Sequence, residues 1–566
     1  DRLPAAEIVR TLAAAASGVG PSSRERDAYR RGYELLSRYV EHTTDAGPGR
    51  RQDKVALAHR GRRTTDRLES QALRAAAGAL AAGRGDVGVV LFNVAGWPRG
   101  GLVRMGDAGL PTGDFELIDA GTRSAVPYLR EAGRIEFIAP AVPAGGYLYL
   151  EVKPVGRRHQ PGSPADWNER QFTLHFESYS LQFHAAGGMC RWHDRARSMQ
   201  WCSNEVEFPM GTYLYEVPAS RRLREFARRV RGNCAEATAG FLSGPDRDEV
   251  TDFGPVGGGP ATVVPEIGPL RSRVIVEAAC PQREAPSGRS DDVHRYRSTF
   301  TVYRGCRDLH VRIALLSGQP ATVGAGYGFF PLYGSEPWVL IDRIAHLVQG
   351  GHGFLRGVNT AHLAVHRGVR IECQHAGVNF YPLDTPMIGF SAPGAYRFDD
   401  AREYANGVLY ATLFNGGRGT GLAPQQSGDL SYEFILRPTG NDDWDGGLAR
   451  GGIEVFRPIL GTVVRGRPAE ASRSLLRVEP DLVHLVAMKP AESDEGLVLR
   501  LWSADPDPLT ARLTLPFARR GDVLHVCDLL ERPTGRRIAI DRQAAAEVSM
   551  KPHQIVTLLL KTTRTG

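Results

Sequence analysis

The sequence has 566 residues, of which 42% are hydrophobic, and a formal net charge of +7. This length exceeds what one hydrophobic core supports, so roughly three or four domains are expected, and the apolar content excludes a disordered chain. No apolar run reaches the length of about eighteen residues that a membrane-spanning helix needs, so we predict no membrane partner. Basic residues are spread along the chain, so we also predict no nucleic-acid partner. The densest basic run, residues 221–231, is interpreted as a solvated helix face, and a phosphate-binding helix is the alternative.

Helical spacing dominates the first part of the chain. Ile8 and Leu12 recur on one face of a first predicted helix. Ser22 and Glu25 have the spacing of a capping box at the start of a second helix. A third helix ends at a glycine-rich stretch near residue 84. We therefore predict a three-helix bundle over residues 1–84.

The pattern changes to strands after this bundle. Val87–Asn93 (VGVVLFN) predicts a buried strand, and Leu309, Val311 and Ile313 alternate with polar residues as in a half-buried strand. A segment rich in proline, glycine and serine at residues 154–167 is typical of a domain linker. The fold class predicted is mainly β. An α-helical bundle at the N-terminal end is followed by antiparallel β-sandwiches, one of which is a super-sandwich. The predicted β domains are a small sandwich (85–155), a large super-sandwich (165–440) and a C-terminal β domain (441–566).

A catalytic parallel barrel requires about 250 residues of alternating strand and helix. The sequence contains no region with that alternation. We therefore expect sheets without a barrel in this chain, and any chemistry that depends on a barrel is expected to come from elsewhere.

Two strand-like runs flank a polar, glycine-rich loop within residues 410–434 (YATLFNGGRGTGLAPQQSGDLSYEF). Amide, guanidinium and carboxylate groups each make two directed hydrogen bonds, which matches the paired hydroxyls of a sugar. Glycine allows the backbone to approach such a ligand. A solvated hairpin loop remains the alternative. The predicted substrate-binding residues of the loop are Asn415, Arg418, Thr420, Gln425 and Asp429.

Trp444 is a further candidate for sugar binding, because an indole ring stacks on the apolar face of a pyranose. Acidic residues surround it in the sequence NDDWD and are expected to keep it near water. Packing at the rim of a sandwich is the alternative role for this side chain.

Two histidines have the spacing of a helical metal-binding pair. His362 and His366 are four residues apart, but the surrounding sequence (AHLAVHRGVRIECQ) predicts a strand. Four residues on a strand span about 13 Å, which is too far for one metal ion. We therefore interpret both as exposed histidines of a sheet.

The seven cysteines are widely separated, and none forms a CxxC pair. This spacing argues against a cysteine zinc site. An odd number of cysteines in a large chain suits a reducing compartment, so we predict a cytoplasmic protein. The chain opens with Asp1 rather than methionine, so the lack of a visible signal peptide carries no weight.

Several separate stretches resemble glycoside hydrolase family 38, the α-mannosidases and their bacterial relatives. Each match is short, but their order and spacing are those of the central and C-terminal regions of that family. The matching stretches are Val89–Arg99 (VVLFNVAGWPR), Val142–Tyr147 (VPAGGY), Arg170–Asp194, Phe329–Leu332 (FFPL), Tyr381–Ile388 (YPLDTPMI), Tyr410–Phe434 and Lys551–Leu558 (KPHQIVTL).

The resemblance implies a retaining hydrolysis in which an N-terminal barrel carries the nucleophile and a zinc ion holds the sugar hydroxyls. It also implies that the large sandwich is similar to galactose mutarotase. Glu41, His42 and Thr43 are similar to a family motif whose histidine completes the metal site, so His42 is a candidate zinc ligand. A histidine exposed at a helix end is the alternative.

One position departs from the family pattern. Arg418 stands where many relatives have a tryptophan, which replaces a stacking surface with a hydrogen-bonding fork. A charged sugar such as a uronic acid becomes conceivable, while an ion pair between Arg418 and Asp429 within the loop is the alternative.

The resemblance predicts that the chain is the C-terminal portion of a family 38-like glycoside hydrolase. It would bind a mannoside or related glycan and complete the active site of an N-terminal catalytic barrel of the same gene product, without activity of its own. One alternative is a free-standing, non-catalytic carbohydrate-binding or scaffold protein. Another is a lyase or mutarotase that uses a His/Tyr or His/Glu cluster in the sandwich itself.

Overall fold

The structure is a computed structural model in which the chain divides into two compact units. The first unit comprises residues 1–44, 48–161 and 445–566, and the second comprises 45–47 and 162–444. The four domains drawn from the sequence remain a prediction. The structure describes residues 1–40, 48–158, 161–177, 179–202, 207–216, 220–231, 261–280, 295–316, 324–373, 376–400, 402–415, 430–440, 445–493, 496–519 and 521–561.

The three predicted N-terminal helices are present. The capping box is confirmed, because the Ser22 backbone N–H donates to Glu25 Oε2 at 2.7 Å and the Glu25 N–H donates to Ser22 Oγ at 3.3 Å. Ile8 and Leu12 are buried, as their spacing predicts. The helices are α1 (Arg2–Ser17), α2 (Ser23–Val40) and α3 (Pro48–Leu80).

The remainder of the chain is mainly strand. In the first unit β1 (Ala81–Asn93), β2 (Arg99–Gly106), β3 (Phe115–Asp119), β4 (Tyr128–Glu131), β5 (Arg134–Val142) and β6 (Gly146–Pro154) follow the helices. The second unit contains β7 (Ala165–Asn168), β8 (Thr173–Phe176), β9 (Tyr179–Phe183), β10 (Met189–Asp194), β11 (Met199–Gln200), β12 (Tyr213–Glu216), α4 (Ser220–Arg231), β13 (Thr262–Glu266), β14 (Arg271–Ala279), β15 (Arg295–Tyr303), β16 (Leu309–Leu315), β17 (Ala325–Ser335), β18 (Trp338–Arg343), β19 (His346–Gln349), β20 (His362–Ala364), β21 (Val369–Cys373), β22 (Ala376–Pro382), β23 (Met387–Phe390), β24 (Asn406–Asn415) and β25 (Ser431–Thr439). The chain then adds α5 (Asp445–Phe456), β26 (Leu460–Pro468), β27 (Ser472–Ser474), β28 (Arg477–Glu479), β29 (Val483–Pro490), β30 (Leu497–Ser503), β31 (Leu509–Thr514), β32 (Val523–Cys527), β33 (Pro533–Ala539), β34 (Ala545–Met550) and β35 (Ile555–Lys561) to the first unit.

The described residues of the first unit form four sheets. One has the strand order β26-β1-β6-β27 with β3 also on β6, so strands from both ends of the chain share it. The others are β2-β5-β4, β28-β31-β34 and β29-β30-β35-β32-β33. The pairing of β1 with β26 joins segments more than 350 residues apart in the sequence. Most of the second unit is therefore inserted, in sequence, between two parts of the first unit.

The second unit contains three sheets, with the strand orders β11-β10-β9-β8-β7, β12-β17-β24-β23-β20 and β13-β14-β15-β16-β25-β22-β21-β18-β19. The five-stranded sheet that contains β12, β17 and β24 is called the short sheet here, and the nine-stranded one the long sheet. Phe330 of the short sheet packs against Phe380 and Phe434 of the long sheet, each at a ring separation of 4.8 Å. The two sheets therefore face each other across one apolar core.

Every strand pairing in the described part of the chain is antiparallel. A parallel barrel requires the opposite arrangement. The predicted fold class, mainly β with helices at the N-terminal end and antiparallel sandwiches, is confirmed. None of the helices in this part of the chain combines the length and the apolarity that crossing a bilayer requires.

The hairpin between β9 and β10 turns at a pair of glycines. Gly187 and Gly188 have φ angles of 118° and 72°, which are favourable for glycine. A Cβ on Gly188 would lie 2.7 Å from the Cβ of Pro209, so a side chain has no room there. The turn thus depends on glycine for both its backbone angles and its close packing.

Candidate functional site

Asn415 is the predicted site residue that the structure describes. It is exposed and is the last residue of β24 in the short sheet. The other predicted ligands of sugar or metal lie outside the described residues: Arg418, Thr420, Gln425, Asp429, Trp444 and His42.

A buried tyrosine fixes the side chain of Asn415. The phenol of Tyr396 donates a hydrogen bond of 2.6 Å to Asn415 Oδ1. Burial raises the pKa of Tyr396, so the phenol stays protonated and acts as a donor at neutral pH. Because the amide oxygen is held by this bond, the amide nitrogen, with its two N–H donors, faces away from Tyr396.

Asn415 lies in a row of residues that crosses three strands. Ala325 of β17 is the direct partner of Asn415 on one side and of Glu216 in β12 on the other. Directly paired residues point to the same face of a sheet, and neighbouring strands lie about 4.8 Å apart. Glu216 and Asn415 therefore lie on one face of the short sheet with their backbones about 10 Å apart.

Glu216 is a buried carboxylate with two partners. Its Oε2 accepts a hydrogen bond of 2.7 Å from the Tyr327 phenol, and its Oε1 accepts one of 2.6 Å from Arg222. The Tyr327 oxygen in turn accepts the backbone N–H of Ala395 at 3.2 Å. Burial, together with the charge of Glu216, raises the pKa of Tyr327 well above its usual value. Each group is paired, so the cluster acts as a fixed support of this face of the sheet.

Helix α4 covers this face of the short sheet. Arg222 belongs to α4 and binds Glu216, and Phe226 of the same helix packs edge-on against Tyr396 at 6.3 Å. The basic run was interpreted as a solvated helix face, and it does form a helix. However, one arginine and one phenylalanine of that helix are used to dock it beside Asn415.

His362 is more enclosed than predicted from its sequence. It lies on β20, as the strand pattern indicated, and its Nε2 is 2.9 Å from Thr412 Oγ1. Burial lowers the pKa of His362 to about 4, so the imidazole is neutral at physiological pH. Thr412 pairs with Tyr327 across the strands, and Tyr327 donates to Glu216. A chain of contacts through Thr412 therefore links His362 to Tyr327 and Glu216.

The lyase or mutarotase alternative requires such a His/Tyr/Glu cluster in an open cleft. Here Tyr327 is fully buried and Glu216 is 2% exposed. Tyr410 packs edge-on against Tyr327 at 6.1 Å and so adds to the cover. A substrate does not reach these groups in this structure, so the geometry favours a supporting role for the cluster.

We tested whether the described residues suit the zinc ion that the family resemblance implies. The resemblance assigns one ligand, His42, which lies outside those residues. Within the described ranges, one group of three side chains has ligand atoms close enough to hold a metal ion: Cys306, Asp308 and His310. This group contains a thiol and an aspartate that binds Arg437, which is unlike a site for sugar hydroxyls.

Sequence reasoning found Asn415 but missed Tyr396 and Glu216. Tyr396 lies 19 residues before Asn415 and Glu216 much further away, and neither stands in a recognisable motif. In the sequence, a predicted strand ends immediately before the polar loop. This pattern identifies the strand that carries the candidate site, but not the residues that support it.

The candidate ligand-binding end of the short sheet thus lies at Asn415, the last residue of β24. The C-terminal sheets match a known family model. Residues 482–558 match the model described as the glycosyl hydrolases family 38 C-terminal beta sandwich domain, and they span β29 to β35. No curated protein matches the sequence.

Two solved structures share the fold over almost the whole chain. An alpha-mannosidase from Enterococcus faecalis V583 aligns with a TM-score of 0.70 and 14% identity over 99% of this chain and 66% of its own. A protein in the glycosyl hydrolase family 38 from Enterococcus faecalis aligns with a TM-score of 0.70 and 13% identity over 99% of this chain and 68% of its own. These identities establish the fold alone.

A galactose mutarotase-like protein from Lactobacillus casei also matches, at 7% identity and a TM-score of 0.25, over 47% of this chain and 99% of its own. That score is too low to carry an argument. The chain is thus similar to the central and C-terminal regions of family 38, as its sequence predicts, and it spans just under two thirds of the alpha-mannosidase.

Proposed function

We propose that this chain is the sheet-bearing portion of a family 38-like glycoside hydrolase and that it acts together with a catalytic barrel. The observation that carries the proposal is the shared fold over 99% of this chain with an alpha-mannosidase of which it covers 66%. The family 38 model matched at residues 482–558 supports the same assignment independently of the fold.

In this proposal the saccharide binds at the end of the short sheet where Asn415 lies. Tyr396 holds the amide oxygen, so the exposed side chain of Asn415 has a fixed orientation in which it would hydrogen-bond to a sugar hydroxyl. Residues 416–429 follow directly, and their side chains Arg418, Thr420, Gln425 and Asp429 would extend the hydrogen bonding. Trp444 would stack on the ring, and the ligand would be a mannoside or a related glycan.

Bond cleavage belongs to the barrel in this proposal. A retaining hydrolase needs two carboxyl groups, one as nucleophile and one as acid, on either side of the glycosidic bond. Glu216 is buried and bound by Tyr327 and Arg222, so it is unavailable for either role. The contribution of this chain is to bind and orient the sugar, and precise orientation is itself a large part of catalysis.

A pair of assays tests the proposal. Purified chain is incubated with an aryl α-mannoside, and separately titrated with manno-oligosaccharides on a glycan array. We expect binding without turnover. Steady turnover by the chain alone would overturn the assignment of chemistry to the barrel, and no binding to any glycan would overturn the carbohydrate-binding role.

An Asn415→Ala variant locates the binding site. If the end of the short sheet binds sugar, this change weakens glycan binding, whereas the matched control Asn168→Ala, on β7 of the same unit, leaves binding unchanged. Equal binding by both variants would remove Asn415 from the site. Glycan binding together with an upstream reading frame that lacks a barrel would favour the free-standing carbohydrate-binding alternative.

A further inference from the structure

Three chemically different side chains converge on the turn that leads into β16. Cys306, Asp308 and His310 alternate along the segment that leads into β16, which begins at Leu309. Each offers one ligand atom, a thiol sulfur, a carboxylate oxygen and a ring nitrogen, and these atoms lie within 4.8 Å of one another. The group belongs wholly to the second unit, on the long sheet, and is distinct from Asn415 on the short sheet.

Sulfur, nitrogen and oxygen ligands in this combination suit zinc. Zn–S and Zn–N bonds of about 2.3 and 2.0 Å place tetrahedral ligand atoms about 3.5 Å apart. The observed separations require movements of about 1 Å, which side-chain rotation provides at the half-buried Cys306 and His310. A water molecule would take the fourth position of a site with three protein ligands.

Without a metal, the surroundings keep the carboxylate of Asp308 charged and the thiol of Cys306 protonated. Burial raises the pKa of Asp308, but the charge and hydrogen bonds of Arg437 outweigh burial, so the pKa is lowered and the carboxylate is charged. Burial and the charge of Asp308 raise the pKa of the Cys306 thiol to about 12, while the Asp308 backbone N–H favours the thiolate. The thiol is thus protonated without metal, and its proton must leave when a metal binds.

Arg437 is the main opposing feature. It donates to both oxygens of Asp308, at 2.8 and 2.9 Å, and its positive charge disfavours a nearby cation. Each carboxylate oxygen has two lone pairs, so one position on each oxygen stays available for a metal while Arg437 keeps its bonds. The site therefore combines a preformed carboxylate with a thiol and an imidazole, and its affinity is moderated by the guanidinium.

We propose that Cys306, Asp308 and His310 bind one thiophilic divalent cation of the zinc class. As the metal–sulfur bond forms, the S–H proton leaves to solvent, and no electron is transferred. The cation ties the turn between β15 and β16 to the long sheet. This site is separate from the one predicted around His42 and does not depend on the proposed carbohydrate function.

Titration of the full chain with Co²⁺ tests the proposal, because a cobalt–thiolate bond gives a charge-transfer absorbance that carboxylate or imidazole binding alone does not. Zinc content after dialysis against Zn²⁺ gives the stoichiometry. We expect one equivalent of metal and a thiolate band.

Matched variants assign the ligands. Cys306→Ser should remove the thiolate band, and His310→Gln should weaken Co²⁺ binding at least about tenfold. Cys190→Ser, which changes a half-buried thiol on β10, should leave both unchanged. Circular dichroism confirms that each variant is folded. Absence of stoichiometric metal in the wild type, or a band that persists in Cys306→Ser, overturns the proposal.

Discussion

Tyr396 donates a 2.6 Å hydrogen bond to the side-chain oxygen of Asn415, which is 19 residues further along the chain. The tyrosine is buried and the asparagine is exposed, so the bond transmits the rigidity of the core to a surface amide. A binding group whose rotamer is already fixed loses less conformational entropy when a ligand arrives. This relationship makes the two residues separable by mutation, because one contacts the proposed ligand and the other only positions it.

Tyr396→Phe should weaken saccharide binding while leaving the chain folded. The change removes the donor that orients Asn415, at a cost in stability of about 1 kcal/mol, because the exposed amide can bond to water instead. Isothermal titration with the best ligand from a glycan array measures the affinity. Tyr404→Phe removes a comparable buried hydroxyl, which donates to Thr360 O at 3.0 Å, and should leave the affinity unchanged. Identical affinities for all three proteins would contradict a positioning role for Tyr396.

Glu216→Ala should destabilise the second unit by about 3 kcal/mol, because it leaves the buried Tyr327 hydroxyl and the half-buried Arg222 without their carboxylate. Glu216→Gln keeps an acceptor and should cost less, about 1 kcal/mol. Glu225→Ala is the control, since its ion pair with Arg229 on α4 is exposed and such pairs contribute little. Thermal unfolding followed by circular dichroism gives the ranking. A loss for Glu225→Ala as large as that for Glu216→Ala would show that α4 does not depend on the buried pair.

Strand positions were predictable wherever one face is buried. Leu309, Val311 and Ile313 alternate in the sequence and all three are buried in β16, because the period of two is imposed by the sheet itself. The start of β1 was less predictable. The sequence indicated a strand from Val87, but the strand begins at Ala81 because Ala81 pairs with Pro468, and nothing near Ala81 encodes that distant partner.

The candidate site was predictable only in part, for the same physical reason. Asn415 was visible because a polar, glycine-rich loop follows a strand, which is a local feature. Tyr327 and Glu216 meet at 2.7 Å although 111 residues separate them, so their pairing arises from the register of β12 and β17. Side-chain pairs of this kind depend on tertiary structure, and a single sequence does not specify them.

Arg437→Leu should reverse the pH dependence that Asp308 contributes to stability. In the wild type Arg437 lowers the pKa of Asp308 below the unfolded value, so its contribution is present above that value and is lost as pH falls through the folded pKa. Without Arg437, burial is the largest remaining influence on the carboxylate and outweighs the opposing charge of His310. The folded pKa then lies above the unfolded one, and stability instead falls as pH rises above about 4.

Unfolding midpoints measured at about pH 3.5 and at about pH 7 test this reversal. The variant should lose about 3 kcal/mol relative to the wild type at the higher pH and much less at the lower pH. Arg312→Leu, which removes an arginine from the same sheet that binds Ser431 Oγ, is the control and should shift both midpoints equally. An equal loss at the two pH values in Arg437→Leu would refute the coupling to Asp308.

Glu7→Gln should flatten the pH dependence of stability of the first unit near neutrality. Burial raises the pKa of Glu7 to about 7, against the opposing effects of the Tyr33 hydrogen bond and of Lys489, while Glu492 and Glu531 raise it further. The folded chain thus holds a proton that the unfolded chain releases near pH 4.5, so stability is greatest below that pH and falls as pH rises towards 7. The full effect is up to about 3 kcal/mol.

The Gln variant keeps the acceptor for the Tyr33 phenol, which lies 2.9 Å from Glu7 Oε2, and carries no titrating group. Unfolding midpoints between roughly pH 4 and pH 8 should therefore decline less in Glu7→Gln than in the wild type or in Glu34→Gln, which changes an exposed acid on α2. Parallel curves for the wild type and both variants would mean that Glu7 is ionised in the folded chain across this range, with Lys489 outweighing burial.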